Sequence, residues 1–142
     1  MKEINVFKGK NYFLSNMFPT AVTFEGQTYL CVESAFQAAK CVNPVDREEF
    51  TSLDGYSAKK LGRRVNLRKD WENIKLDVMT ACVRDKFTSN PVLRNKLIAT
   101  DNAILIEGNT WNDTFWGVCN GTGKNHLGQI LMQIRSELQN EK

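Results

Sequence analysis

Residues 32–40 read VESAFQAAK. In a helix, Glu33, Gln37 and Lys40 fall at i, i+4 and i+7 and share one face, with Val32, Ala35, Phe36 and Ala39 as an apolar stripe beside them. Two answers fit one acid and one base on a single line. One is a surface ion-pair ladder. The other is a cleft in which carboxylate, amide and amine meet a substrate together. A second set lies in NTWNDTFWG (109–117), where Trp111, Phe115 and Trp116 surround Asp113. Aromatic walls around one polar group suit a flat ring such as a nucleobase; the same residues also read as core, with Asp113 closing an Asx turn.

Three further stretches carry weaker signals. NYFLSN (11–16) sets Phe13 beside Ser15 and Asn16, and Asn16 either bonds a base or ribose or satisfies loop backbone. WGVCNGTGKNHLG is not a phosphate-binding P-loop: Val118 stands where the first glycine is needed, and Asn125 replaces the Ser/Thr. It is read as a loop entering a helix N-terminus, where free N–H groups, the helix dipole and Lys124 favour an anion. Lys59, Lys60, Arg63, Arg64, Arg68 and Lys69 crowd one segment, either as a solvated face or as a phosphate-facing patch. His126, the only histidine, reads first as structural.

The elements that must position these groups follow from local signals. Glu25-Gly26 between Val22-Thr23-Phe24 and Gln27-Thr28-Tyr29 predicts a tight hairpin among short strands in the first 30 residues. The helix carrying Glu33 is expected to stop at Asn43-Pro44. Ser34-x-x-Gln37 also fits a capping box, which would leave Glu33 just outside the helix. Asp46-x-x-Glu49 is expected to open a short helix, Ser57 to cap another, and Asp70 to cap a long one from Trp71 through Phe87. Asn90-Pro91 predicts N-cap and N1 of a helix ending near Thr100. AILIE (103–107) reads as a buried strand. The final helix has Leu127, Ile130, Leu131, Ile134 and Leu138 as its stripe and Asn125 as its cap. The sum is one α+β domain over 1–142, mainly helical with a small β component.

Bulk properties fit. The 142 residues are enough to bury a core without staples, and 42% are hydrophobic and 25% charged, as in a soluble globule. No apolar run approaches the ~20 residues a bilayer needs, and no signal peptide is visible, so a cytoplasmic protein is expected. Cysteines 31, 41, 82 and 119 form no C-x-x-C, so buried thiols are expected and no metal or other cofactor. A net charge of +3 argues against a plain nucleic-acid-binding protein.

The ordered set FLSN, VESAFQAAK, KKLGRR, DWENIKLDVM with KF, NDTFWG and GTGKNHLGQILMQIR resembles the NADAR, or YbiA-like, family from about Phe7 to Leu138. The resemblance implies a compact α+β fold dominated by helices and N-glycosidase activity, cleaving between a sugar C1 and a base nitrogen without a metal. One branch of the family is linked to reactive aminopyrimidine ribosyl phosphates of riboflavin synthesis, and another removes ADP-ribose from guanine in nucleic acid. The family's motif residues fall here on Glu33, Lys40, Asp113, Trp116 and Asn16. Ser34 stands where many members have His, and Val118-Cys119 follow the Trp-Gly pair. The resemblance implies Glu33, Lys40 and Asp113 as catalytic residues gathered at the anomeric carbon. Phe13, Ser15, Asn16, Gln37, Arg63, Trp111, Trp116, Gly117, Lys124 and Asn125 are then the substrate-binding set. The expected substrate is ADP-ribosylated guanine in nucleic acid, because the basic segment suits a polyanion and the 142 residues are expected to stand without a fused riboflavin-pathway domain. The alternatives are an aminopyrimidine riboside phosphate and a module that binds ADP-ribose or a nucleotide without cleaving it. No membrane and no obligate protein partner are expected.

Overall fold

The computed structural model describes residues 2–141. In chain order it forms β1 (Glu3–Ile4), β2 (Val22–Phe24), β3 (Gln27–Tyr29), α1 (Val32–Ala38), α2 (Pro44–Glu48), α3 (Gly55–Gly62), α4 (Trp71–Ser89), α5 (Pro91–Ala99), β4 (Ile104–Leu105) and α6 (His126–Gln139), with short 3-10 turns at Gly9–Leu14 and Glu49–Ser52. Helices dominate and strands are few and short, as in the α+β class read from the sequence. The chain divides into two compact units, residues 1–15 with 89–142, and residues 16–88. Among the described residues no helix is long and apolar enough to cross a membrane.

In the 16–88 unit, β2 and β3 make an antiparallel hairpin with Phe24 opposite Gln27. Glu25 and Gly26 take φ of +47° and +87°, the twist a two-residue hairpin turn needs. The Glu25 carboxylate pairs with buried Arg47 at 2.7 Å, and Arg47 Nε donates to the Cys41 carbonyl at 2.9 Å, tying the hairpin to the chain beyond α1. α1 packs on α3, and Phe36 meets Trp71 of α4 with ring centroids 5.0 Å apart. Val78, Cys82 and Phe87 are buried along α4, while Ile74 is only partly so.

In the other unit, β1 pairs in parallel with β4, Glu3 opposite Ile104. α6 covers β4 and α5. Its expected stripe of Leu127, Ile130, Leu131, Ile134 and Leu138 is buried throughout. The 103–107 strand shrinks to two residues, Ile104 and Leu105, with Ile106 N still donating to the Ile4 carbonyl at 2.9 Å.

Several local expectations change. Asn43-Pro44 does not end the helix of Glu33, which already stops at Ala38; it begins α2, with Asn43 Oδ1 accepting from Val45 N at 3.0 Å and Pro44 at N1, and this displaces the Asp46 capping box. Asp54, not Ser57, caps α3: its Oδ1 accepts from Ser57 N at 2.8 Å. Asn125 occupies the position before α6 but with φ of +53° and no side-chain cap, because its amide is used elsewhere. Residues 9–14 coil as a 3-10 turn rather than a strand. Asn90 caps α5 as expected, its Oδ1 accepting from Val92 N and Leu93 N at 3.1 and 3.2 Å. Asn90→Ala should therefore lower unfolding free energy by about 1 kcal/mol in urea titrations.

Candidate functional site

Glu33 lies inside α1, in its first turn, with Cys31 as the N-cap residue. The alternative box does not form, because Ser34 is buried and its Oγ donates to the Leu53 carbonyl at 2.7 Å. The Glu33 backbone N–H donates to the Asn16 carbonyl at 3.0 Å, so NYFLSN supplies an acceptor for the start of α1. The Asn16 amide itself reaches Met79 Sδ at 3.5 Å.

The expected line of three polar side chains is built as two rungs of different kind. Gln37 Nε2 donates to Glu33 Oε2 at 2.6 Å. Gln37 is buried, and its other amide atom, Oε1, lies against Gly62 of α3. A Cβ at residue 62 would collide with Oε1, so glycine is what allows the amide to sit there and α1 to approach α3. Oε1 has no hydrogen-bond partner, a cost in free energy that leaves Nε2 as the atom that must face the carboxylate. An inverted amide would set oxygen against oxygen.

Lys40 stands just past α1, since the helix ends at Ala38 with Ala39 as its C-cap. The i+7 geometry therefore does not persist as helix; a tighter turn replaces it, Lys40 N donating to the Gln37 carbonyl at 3.2 Å. The backbone there is fixed by Arg68, whose N–H donates to the Lys40 carbonyl at 3.0 Å and whose Nη1 donates to the Ala39 carbonyl at 3.3 Å. Arg68 is itself held by Asp70 at 2.7 Å. Partial burial holds the Lys40 ammonium below the usual lysine range; Glu33 opposes this, and Arg63 and Lys59 add to it. The basic segment thus has at least two uses. Arg68 is structural, and Arg63 and Lys59 make it easier for Lys40 to lose its proton. Arg63 is exposed at the C-cap of α3.

The second constellation lies in the other unit. Asn109 organises it: its Oδ1 accepts from Trp111 N and Asp113 N at 3.3 and 3.1 Å, and its Nδ2 donates to Glu107 Oε2 and the Asp113 carbonyl at 3.0 and 2.8 Å. Asp113 Oδ1 accepts from Phe115 N and Trp116 N at 3.2 and 2.9 Å. One oxygen of this carboxylate therefore closes the turn, as the Asx reading allowed. Phe115 packs against Trp116 and His126 with centroids 4.8 and 4.5 Å apart, and Lys124 Nζ lies 5.9 Å from the Phe115 centroid. His126, read as structural, is an aromatic wall here. Trp111 is 54% exposed and stands outside that ring cluster.

The N-terminus of α6 is not the open anion site its sequence suggested. His126 N and Leu127 N donate to the Phe115 and Trp116 carbonyls at 3.2 and 2.9 Å, so the loop has already used them. Asn125 Oδ1 accepts from Glu107 N at 3.0 Å and its Nδ2 donates to the Leu105 carbonyl at 3.0 Å. Gly117 lies where a Cβ would strike Glu107. Phe13 is buried beneath Lys96, and Ser15 N donates to the Tyr12 carbonyl at 2.9 Å. Sequence reading missed Glu107 and Asn109; the only local hint is the Asn-x-x-x-Asp spacing of residues 109 and 113. Among the described residues no group of three or more His, Cys, Asp and Glu could hold a metal ion.

Gly62→Ala should cost about 1–3 kcal/mol in urea unfolding, because its methyl must push Gln37 aside. Asp113→Ala should cost about 1–2 kcal/mol, whereas Asp113→Asn, which keeps Oδ1 as acceptor, should change unfolding free energy by less than about 0.5 kcal/mol.

The NADAR domain family model matches residues 5–139. N-glycosidase YbiA of Shigella boydii serotype 4 (strain Sb227) is 39% identical over 132 residues, covering 90% of this chain and 82% of that protein. A riboflavin biosynthesis protein of Vibrio vulnificus (strain YJ016) is 37% identical over 131 residues, covering 89% of this chain and 35% of that protein. The solution NMR structure of YbiA from E. coli superposes with a TM-score of 0.83 at 32% identity, covering 98% of this chain and 88% of that one. The chain belongs to the NADAR domain family, and its activity is of the N-glycosidase class, hydrolysis of an N-glycosyl bond.

Proposed function

We propose that the chain removes ADP-ribose from ADP-ribosylated guanine in nucleic acid, in the cytoplasm and without an obligate protein partner, by cleaving between ribose C1 and the base nitrogen. The observation that supports cleavage over binding alone is the end of α1, where a carboxylate held by an amide stands with a partly desolvated amine. A module that only holds ADP-ribose has no need of that pair. Glu33 stabilises the positive charge that develops at C1 and the ring oxygen and serves as general acid and base. Lys40 is the nucleophile. With the aminoribosyl ring open, its neutral amine adds to the C1 imine, the proton passes to the base amine, the base leaves, and a Schiff base remains. Water then adds to C1 and releases Lys40 and the free sugar.

Asp113 and Trp116 are proposed to orient the ribose and stack on the base, with Asn16, Ser15, Phe13, Trp111, Gly117 and Asn125 completing or supporting the binding surfaces. Arg63 and Lys124 are proposed to meet the pyrophosphate. A second substrate, an aminopyrimidine ribosyl phosphate of riboflavin synthesis, is favoured by the match of nearly all of this chain to part of a riboflavin biosynthesis protein.

Incubation with ADP-ribosylated DNA should release free ADP-ribose, detected by mass spectrometry, and Glu33→Ala should reduce the rate by about 10²–10⁴-fold. Release from the aminopyrimidine riboside alone would select the second substrate, and tight ADP-ribose binding with no release from either would mark a binding module. Borohydride should trap an adduct on Lys40 that Lys40→Arg abolishes; full activity in Lys40→Ala would refute the nucleophile.

The pH dependence carries a definite sign. Lys40 must be neutral to attack, so kcat rises with pH to a midpoint below the ordinary lysine value of about 10.4. Since Glu33 raises the Lys40 pKa, Glu33→Gln should shift the residual rate's midpoint to lower pH.

A further inference from the structure

The 1–15 and 89–142 unit contains a cavity of about 860 Å³, remote in sequence from the loop around Asp113. Its wall brings together Lys2, Lys8, Lys10 and Lys96, against two acids, Glu3 and Asp101. The acids are partly occupied. Glu3 Oε1 accepts from the Asn5 amide at 3.3 Å, and Asp101 is coupled to buried Arg135, which donates to Thr100 Oγ1 at 2.9 Å behind the wall. Lys96 is steadied over Phe13, its Nζ 5.7 Å from the ring centroid. All four lysines are exposed, and among the described residues none of them forms an ion pair that would account for their gathering. With a net charge of only +3 over the whole chain, four lysines around one concavity are a local concentration of positive potential.

We propose that this lysine-lined cavity binds the sugar–phosphate backbone of single-stranded nucleic acid and makes the enzyme prefer a modified base within a polynucleotide to the free nucleotide. The proposal rests on the reading of the substrate as ADP-ribosylated guanine. Several separated ammonium groups suit the evenly spaced charges of a polynucleotide, whereas a lone pyrophosphate could meet only one or two of them. The amides of Asn5, Asn11 and Asn102 add neutral donors without selecting a base. A single strand is the form in which a modified base can be presented without paying to unstack it.

The test is fluorescence anisotropy of an unmodified single-stranded DNA oligonucleotide with the native chain and with a variant carrying Lys2→Gln, Lys8→Gln, Lys10→Gln and Lys96→Gln. The native chain should bind with a steep salt dependence. The variant should bind at least tenfold more weakly at 0.1 M salt, with its log Kd against log salt slope smaller by about 3. On ADP-ribosylated oligonucleotide its KM should rise by a similar factor, while cleavage of an ADP-ribosylated guanosine should be unchanged. Equal oligonucleotide binding by native chain and variant, no binding by the native chain, or tighter binding of poly-glutamate than of DNA of equal charge would each overturn the proposal. Because binding is read on unmodified DNA, that result stands apart from whether ADP-ribosyl-guanine is cleaved at all, which decides the underlying reading.

Discussion

A single hydrogen bond, Gln37 Nε2 to Glu33 Oε2, sets the terms for the rest of the 16–88 unit's chemistry. It forms because Gln37 is buried against a residue with no side chain. Gly62 lets α3 approach α1 closely enough to clamp the amide, and the clamp leaves one orientation that does not place two oxygens together. The unsatisfied Oε1 is costly. A chain selected for stability alone would replace Gln37 with an apolar residue of similar size. Retaining the amide is understandable if holding a carboxylate in one rotamer is what the helix is for.

Around this bond the basic segment takes on several jobs. Arg68 spends its donors on the carbonyls of residues 39 and 40 and on Asp70, fixing where the α1 exit points. Lys59 and Arg63 act through space on the Lys40 ammonium, opposing the attraction of Glu33. Burial is the largest influence on that amine, as expected for a group tuned to lose its proton by desolvation. In the other unit, Asn109 and Asp113 bend the chain so that Phe115, Trp116 and His126 pack as rings, and the same loop supplies the carbonyls that satisfy the start of α6.

Features set by neighbours in sequence were legible in advance. The Glu25-Gly26 turn, the Asn90-Pro91 cap and the α6 stripe each need only a few consecutive residues and the backbone's own preferences. Errors arose where two local signals competed. Asn43-Pro44 fits both a stop and a start, and Asp54 lies three residues before the Ser57 that looked like a cap. What stayed hidden depends on distant partners. Nothing near Gln37 announces Gly62, nothing near His126 announces Phe115, and Asn125 looked free to cap a helix until β4 and Glu107 claimed its amide. The family resemblance pointed to residues 33, 40 and 113; it gave no account of the amide clamp or of Arg68.

The most direct test of the central claim, that the end of α1 keeps an amine ready to act beside a fixed carboxylate, is an NMR titration of the Lys40 side chain in the native chain and in Glu33→Gln. The account predicts a midpoint below that of an ordinary lysine, falling further when the Glu33 charge is removed. A midpoint at or above the ordinary value, unmoved by Glu33→Gln, would contradict it.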